Sequence, residues 1–262
     1  MSFGLHVERV GQGPRVVLVH GSVAAGASAW SAQRELAERW TLLVVDRPGF
    51  GAAAGVDRVD FEADAPLVAD ALGDGAHLVG QSYGGLISLL AAARRPRAVR
   101  SLAVIEPPAF AVARGHPAVE DFVSSATRLW GHGPSEPEAF LRAFLELVGS
   151  GMQPPSPLPP SLERGARMLM VERYPWEAVV PLDELARAPF PKLVVSGGHH
   201  AAFDAVCDVL EERLGAERAV ITGAGHSVQR TGAPCNERLE RFLCSAEDGV
   251  ASPENGLRGG SA

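Results

Sequence analysis

The run Gly80-Gln81-Ser82-Tyr83-Gly84 sets a serine between glycines two positions to either side. It follows the apolar run His77-Leu78-Val79 directly and precedes Gly85 and a helical pattern over 86–94. A strand that turns sharply into a helix at such a serine lifts the hydroxyl clear of the sheet. Side chains at the two glycine positions would clash where strand and helix pack closely. The helix N-terminus behind the serine favours negative charge developing at the reacting centre. Ser82 is therefore the candidate nucleophile, and attack on an acyl carbon is the chemistry. A plain glycine-rich turn with a surface serine is the bland alternative, and the strand-turn-helix setting argues against it.

A nucleophilic serine needs a base. Gly223-Ala224-Gly225-His226-Ser227 follows the last apolar strand pattern and precedes a helical pattern over 236–243. A histidine in that glycine-flanked loop can swing onto Ser82, accept the hydroxyl proton and return it to the leaving group. A third signal is Val16-Val17-Leu18-Val19-His20-Gly21-Ser22. Here a buried strand ends in His-Gly, and the backbone beyond it can aim amides at a pocket. The amides of Ser22 and Tyr83 are the candidate oxyanion hole, while His20 is read as shaping the turn.

These residues require a scaffold of parallel strands with helices between them. Short β-branched runs fall at 16–19, 41–45, 77–79, 101–105, 192–196 and 218–221, with an antiparallel edge strand expected over 5–10. Helical patterns lie between them, for example at 30–40 and 202–214. The expected fold is α/β, a mostly parallel sheet flanked by helices. From about Phe110 to Pro189 no buried-strand run occurs. Helical patterns at 119–130, 138–148 and 162–174 are joined by Pro- and Gly-rich segments, and 153–160 reads as an extended connector. The division expected is a core over 1–109 and 190–245, a helical lid over 110–189 and a disordered tail over 246–262. Trp130, Phe140, Phe144, Met168, Met170 and Trp176 fall in the lid, most as its own core and a few lining an acyl pocket.

With these motifs in place the chain resembles the α/β-hydrolase superfamily, from His20-Gly21 to His226, and most closely its small, lidded bacterial serine hydrolases. Asp46-Arg47-Pro48-Gly49-Phe50-Gly51 resembles the family's turn after its next strand, with a structural role expected. The resemblance implies the sheet, the lid and a Ser-acid-His triad, and leaves the substrate open.

The acid departs from the family's commonest pattern. The loop after strand 192–196 reads Gly197-Gly198-His199-His200-Ala201-Ala202-Phe203-Asp204, with no carboxylate before Asp204. Asp204 shares a helix face with Asp208 and Glu211 and reads as a solvated first-turn acid. Glu106 is the better candidate. It follows strand 101–105 at once, so it lies on the same sheet rim as Ser82, and Pro107 and Pro108 are expected to hold it extended. Some members of the superfamily carry the acid at this place. Asp204 stays as the alternative acid. Adjacent His199 and His200 point differently, lack a third ligand nearby in sequence and read as a polar loop at the site mouth, so neither a metal nor a cofactor is expected.

The leading function is hydrolysis of an ester or related acyl bond of a small molecule through an acyl-enzyme on Ser82. Thioesterase or acyl-cyclase activity, a lyase or carbon-carbon hydrolase on the same triad, and a hydrolase-fold ligand receptor are the alternatives. A net charge of −7 with no basic run argues against nucleic acid. The apolar runs are too short to span a bilayer. Three cysteines without metal spacing, and an N-terminus unlike a signal peptide, lead us to expect reduced thiols in a cytoplasmic protein. The oligomeric state is not legible.

Overall fold

The computed structural model describes residues 4–250 of the 262-residue chain. Seven strands form one sheet: β1 (His6–Val10), β2 (Arg15–Val19), β3 (Thr41–Asp46), β4 (Ala76–Gln81), β5 (Val99–Ile105), β6 (Lys192–Ser196) and β7 (Glu217–Val220). Their spatial order is β1-β3-β2-β4-β5-β6-β7. Only the β1–β3 pair is antiparallel, so the expected edge strand is present and the rest of the sheet is parallel. The inner strands carry apolar side chains on both faces because helices cover both. Val17 and Val19 of β2 enter one core, and Val16 and Leu18 enter the other.

The helices are α1 (Gly26–Ala29), α2 (Phe61–Ala71), α3 (Tyr83–Arg94), α4 (Pro117–His132), α5 (Pro137–Leu147), α6 (Pro160–Met170), α7 (Leu182–Arg187), α8 (Ala201–Leu214) and α9 (Ala233–Val250). On one face α2, α3 and α8 bury Phe61, Val68, Leu86 and Val206. On the other, α9 buries Leu239 and Phe242 beside Trp30 and Trp40. Among the described residues no helix is long and apolar enough to cross a membrane.

Between β5 and β6 the chain forms a helical insertion. Each of α4, α5 and α6 opens on a proline, at the position where a missing N–H costs the helix nothing. Phe140, Leu141, Leu145, Ala166 and Leu169 form a small core of its own, into which Val23 from the loop after β2 also packs.

Three expectations need correction. The pattern at 30–40 is a 3-10 helix over Ser31–Glu38 rather than an α-helix. Trp30, Gln33 and Leu36 are all buried, and their spacing of three matches three residues per turn. The segment expected to be a tail from residue 246 remains helical to Val250, because Ala246 is buried and Glu247 pairs with Arg100 at 2.9 Å and His77 at 3.1 Å. The remainder of that tail, 251–262, lies outside the described residues. Glu106 is not extended: its φ is +49°, in the left-handed region.

Candidate active site

Ser82 lies between β4 and α3 at φ +51° and ψ −127°, a strained conformation of order 1–3 kcal/mol for a residue with a side chain. Two bonds from β5 and α3 hold it there: its amide donates to Ile105 O at 2.8 Å, and its carbonyl accepts from Gly85 N at 2.7 Å. The flanking glycines are required by close approach. A Cβ on Gly80 would collide with Ser88 Oγ and Gly84 O, and one on Gly84 with the carbonyls of Val19 and His20. The turn can therefore present a hydroxyl only while both positions lack side chains.

His226 arrives from the loop after β7, with Gly223 and Gly225 both at positive φ. Its Nε2 lies 2.9 Å from Ser82 Oγ and its Nδ1 lies 3.2 Å from Glu106 Oε2. Gln81 Nε2 donates to the His226 carbonyl at 3.3 Å and ties the loop to the serine turn. All three residues of this hydrogen-bonded chain are buried, and Glu106 is wholly enclosed. Its second oxygen accepts from Gly197 N at 2.6 Å. The left-handed turn at Glu106, fixed by its own amide donating to Val195 O at 2.9 Å, directs the carboxylate back between these two partners.

Asp204 is elsewhere. Its Oδ1 accepts from Ser196 Oγ at 2.7 Å and from Arg218 Nη2 at 3.2 Å. It is thus a half-buried acid bracing α8 against β6 and β7, rather than a solvated one. His199, read as part of a polar loop, is mostly buried: Nε2 donates to Val148 O at 3.0 Å, and Nδ1 lies 3.7 Å from Glu106 Oε1. Glu106, His199 and His226 bring ligand-type atoms within 4.8 Å of one another. Both nitrogens of His226 already serve Ser82 and Glu106, so the cluster is a hydrogen-bonding one.

Ser22 and Tyr83 border the same cavity as Ser82. Tyr83 opens α3, so its amide is one of the first-turn donors without an intrahelical acceptor. The loop carrying Ser22 touches the serine turn, since a Cβ on Gly21 would sit 2.8 Å from Ser82 Cβ. His20 shapes that loop. Its Nδ1 donates to Gly21 O at 2.7 Å, its Nε2 accepts from Arg47 N at 3.1 Å, and burial holds it well below its ordinary pKa.

A buried charge network beneath the loop escaped the sequence reading. Arg47 donates to Gly21 O at 2.9 Å and Asp64 at 3.0 Å, and lies 3.6 Å from Glu172 Oε1. Ser22 Oγ donates to Glu172 Oε2 at 2.6 Å. Burial pushes the Glu172 carboxyl up to about 7 against the pull of Arg47. The Asp46-Arg47 turn signalled half of this network. Glu172 carried no local signal.

Residues 16–238 match the alpha/beta hydrolase family, and the chain belongs to that family. Among curated relatives it is 43% identical over 101 residues to a pimeloyl-[acyl-carrier protein] methyl ester esterase of Chromobacterium violaceum, covering 38% of this chain and 40% of that one. It is 33% identical to the enzyme of the same name from Methylococcus capsulatus, over 66% of each. Polyketide synthase ThaQ of Burkholderia thailandensis is 31% identical over 93% of this chain, which spans 12% of that protein. Among solved structures, a membrane phospholipase A described as a bacterial virulence factor matches with a TM-score of 0.68 and 26% identity, over 93% of this chain and 84% of that one. Naproxen esterase from Bacillus subtilis shares the fold, with a TM-score of 0.67 and 22% identity over 92% and 88%.

Proposed function

We propose that the protein is a serine hydrolase that cleaves an ester or related acyl bond of a small molecule through an acyl-enzyme on Ser82. The observation that carries this reading is the hydrogen-bonded chain from Ser82 Oγ through His226 to Glu106, built on a serine turn in a strained conformation. The esterase relatives support it.

In the resting state His226 donates from Nδ1 to Glu106 and accepts a hydrogen bond from the Ser82 hydroxyl at Nε2. Ser82 Oγ attacks the acyl carbon as that proton moves to His226. Glu106 keeps the imidazole in the required tautomer and stabilises the imidazolium. In this reading the amides of Ser22 and Tyr83 receive the developing oxyanion, where one donor is typically worth ~100- to 1,000-fold in turnover. His226 then protonates the leaving group. Water, activated by the same imidazole, releases the acid. No cofactor enters this scheme.

The insertion over 110–189 acts as a lid, and Phe122, Trp130, Phe144 and Trp176 from it wall the acyl side of the cavity. Three free thiols, two of them buried, support a reducing compartment such as the cytoplasm.

Thioester hydrolysis is the second reading. It is favoured by the match to a polyketide synthase across nearly the whole of this chain. Burst kinetics on p-nitrophenyl esters, followed by paired oxygen esters and thioesters of one acyl group, test both. Acyl-enzyme formation that depends on Ser82 supports the proposal, and its absence with every acyl donor contradicts it.

A further inference from the structure

The cavity before Ser82 has two arms, and Ser22, Ser82, Phe144, Val148 and His226 border both. The aromatic arm has a volume of ≈ 30 Å³, is walled mainly by aromatic side chains and includes no Lys or Arg. Its carboxyl, Glu172, is already bound by Ser22. An anion placed there would be desolvated without a cation to meet it.

The second arm is larger, at ≈ 160 Å³, and its wall carries positive charge. It includes Arg164 of α6 and Arg230 of the turn after His226, and no Asp or Glu. Both arginines are exposed, and among the described residues neither guanidinium has a hydrogen-bond or ion-pair partner. Neighbouring arginines of the insertion are paired: Arg167 meets Glu163 at 2.7 Å and Arg142 meets Glu138 at 3.0 Å. In a chain of net charge −7, a site wall with two cations and no carboxylate attracts anions against the overall charge.

The geometry points to a substrate whose acyl part enters the aromatic arm and whose leaving group, lying in the larger arm, carries a phosphate or carboxylate held by Arg164 and Arg230. This rests on Ser82 being the acylated nucleophile. The bond changes are those of ordinary acyl transfer. The Ser82 Oγ–acyl carbon bond forms, the acyl carbon–oxygen or –sulfur bond to the leaving group breaks, and the Ser82 proton passes through His226 to that oxygen or sulfur. The anionic group takes no part in these changes. It binds to the planar guanidinium forks, which suit both oxyanions.

The test compares one acyl group on matched leaving groups. For phosphate, hexanoyl-coenzyme A is set against the hexanoyl thioester of N-acetylcysteamine. For carboxylate, 4-carboxyphenyl hexanoate is set against its carboxyl methyl ester. Wild type, Arg164→Gln, Arg230→Gln and the double variant are assayed on each, so that intrinsic reactivity cancels. The expected result is a loss of about 10-fold in kcat/KM for the double variant on at least one anionic substrate, with a loss below about 3-fold on its neutral partner. Raised ionic strength should reproduce the loss in wild type. The pair that responds identifies the anion. Equal effects on charged and neutral partners in both pairs, or no effect, overturn the inference while leaving acyl transfer intact. Absence of Ser82-dependent turnover of the neutral substrates overturns the underlying reading, and this inference with it.

Discussion

Glu106 and His226 are 120 residues apart in sequence and meet at 3.2 Å, Oε2 to Nδ1, across the rim where β5 and β7 end. Glu106 has no exposed surface. Its carboxylate is held by Gly197 N on one side and His226 on the other, an arrangement that orients an imidazole toward Ser82.

Replacing Glu106 by glutamine keeps the shape, removes the charge and permits the wrong imidazole tautomer. By analogy with the serine-protease aspartate, turnover should fall by up to ~10,000-fold. Asp204→Asn should leave kcat within a few-fold, and lower stability by about 1 kcal/mol through its bonds to Ser196 and Arg218. Steady-state kinetics and thermal unfolding on both variants check this. A nearly inactive, folded Asp204→Asn beside an active Glu106→Gln would return the acid to the α8 position.

Glu172 supplies a pH dependence of stability. Its folded pKa of about 7 lies above the ordinary carboxylate range, with burial as the main cause. The folded state therefore holds a proton that the unfolded chain releases. Its contribution is fully present below the unfolded value and is lost as pH rises through about 7. Glu172→Gln should flatten the fall in melting temperature between the ordinary carboxylate pKa and neutrality, a difference of about 1–3 kcal/mol at neutral pH. Melting curves across that window test it. Parallel curves for the two proteins would contradict it.

The insertion should govern substrate choice more than chemical competence, because Ser82, His226, Glu106, Ser22 and Tyr83 all lie outside 110–189. Trp176 walls the aromatic arm and stacks on Tyr174 at 4.9 Å. Trp176→Ala should cost about 10-fold or more in kcat/KM on long acyl esters and little on acetyl esters. Equal losses in kcat for short and long chains in a folded variant would count against this.

The parts of the site that were legible in the sequence are those with local signals. Gly80 is required by the packing of β4 on α3 and Gly84 by that of α3 on the end of β2, and both positions are written within five residues. Glu106 was readable because parallel strands end on a common rim, so one acid at a strand end could be placed beside Ser82. Its backbone conformation was not readable: the prolines after it disfavour helix but do not dictate extension, and the bonds to Val195 and Gly197 decide the turn. His199 beside Glu106, and Glu172 beneath Ser22 at a separation of 150 residues, depend on how loops return over the sheet. No periodicity encodes that path. Six strands were legible from apolar runs and the first as an edge strand, whereas the 3-10 segment at Ser31–Glu38 shares its apolar spacing with an α-helix.

The most direct measurement is site mapping with a fluorophosphonate probe, which reacts with an activated serine hydroxyl. Intact mass should rise by one adduct per chain, peptide mapping should place it on Ser82, and Ser82→Ala should abolish both labelling and ester turnover. An adduct on another serine, or ester turnover that persists in Ser82→Ala, would contradict the assignment of Ser82 as nucleophile.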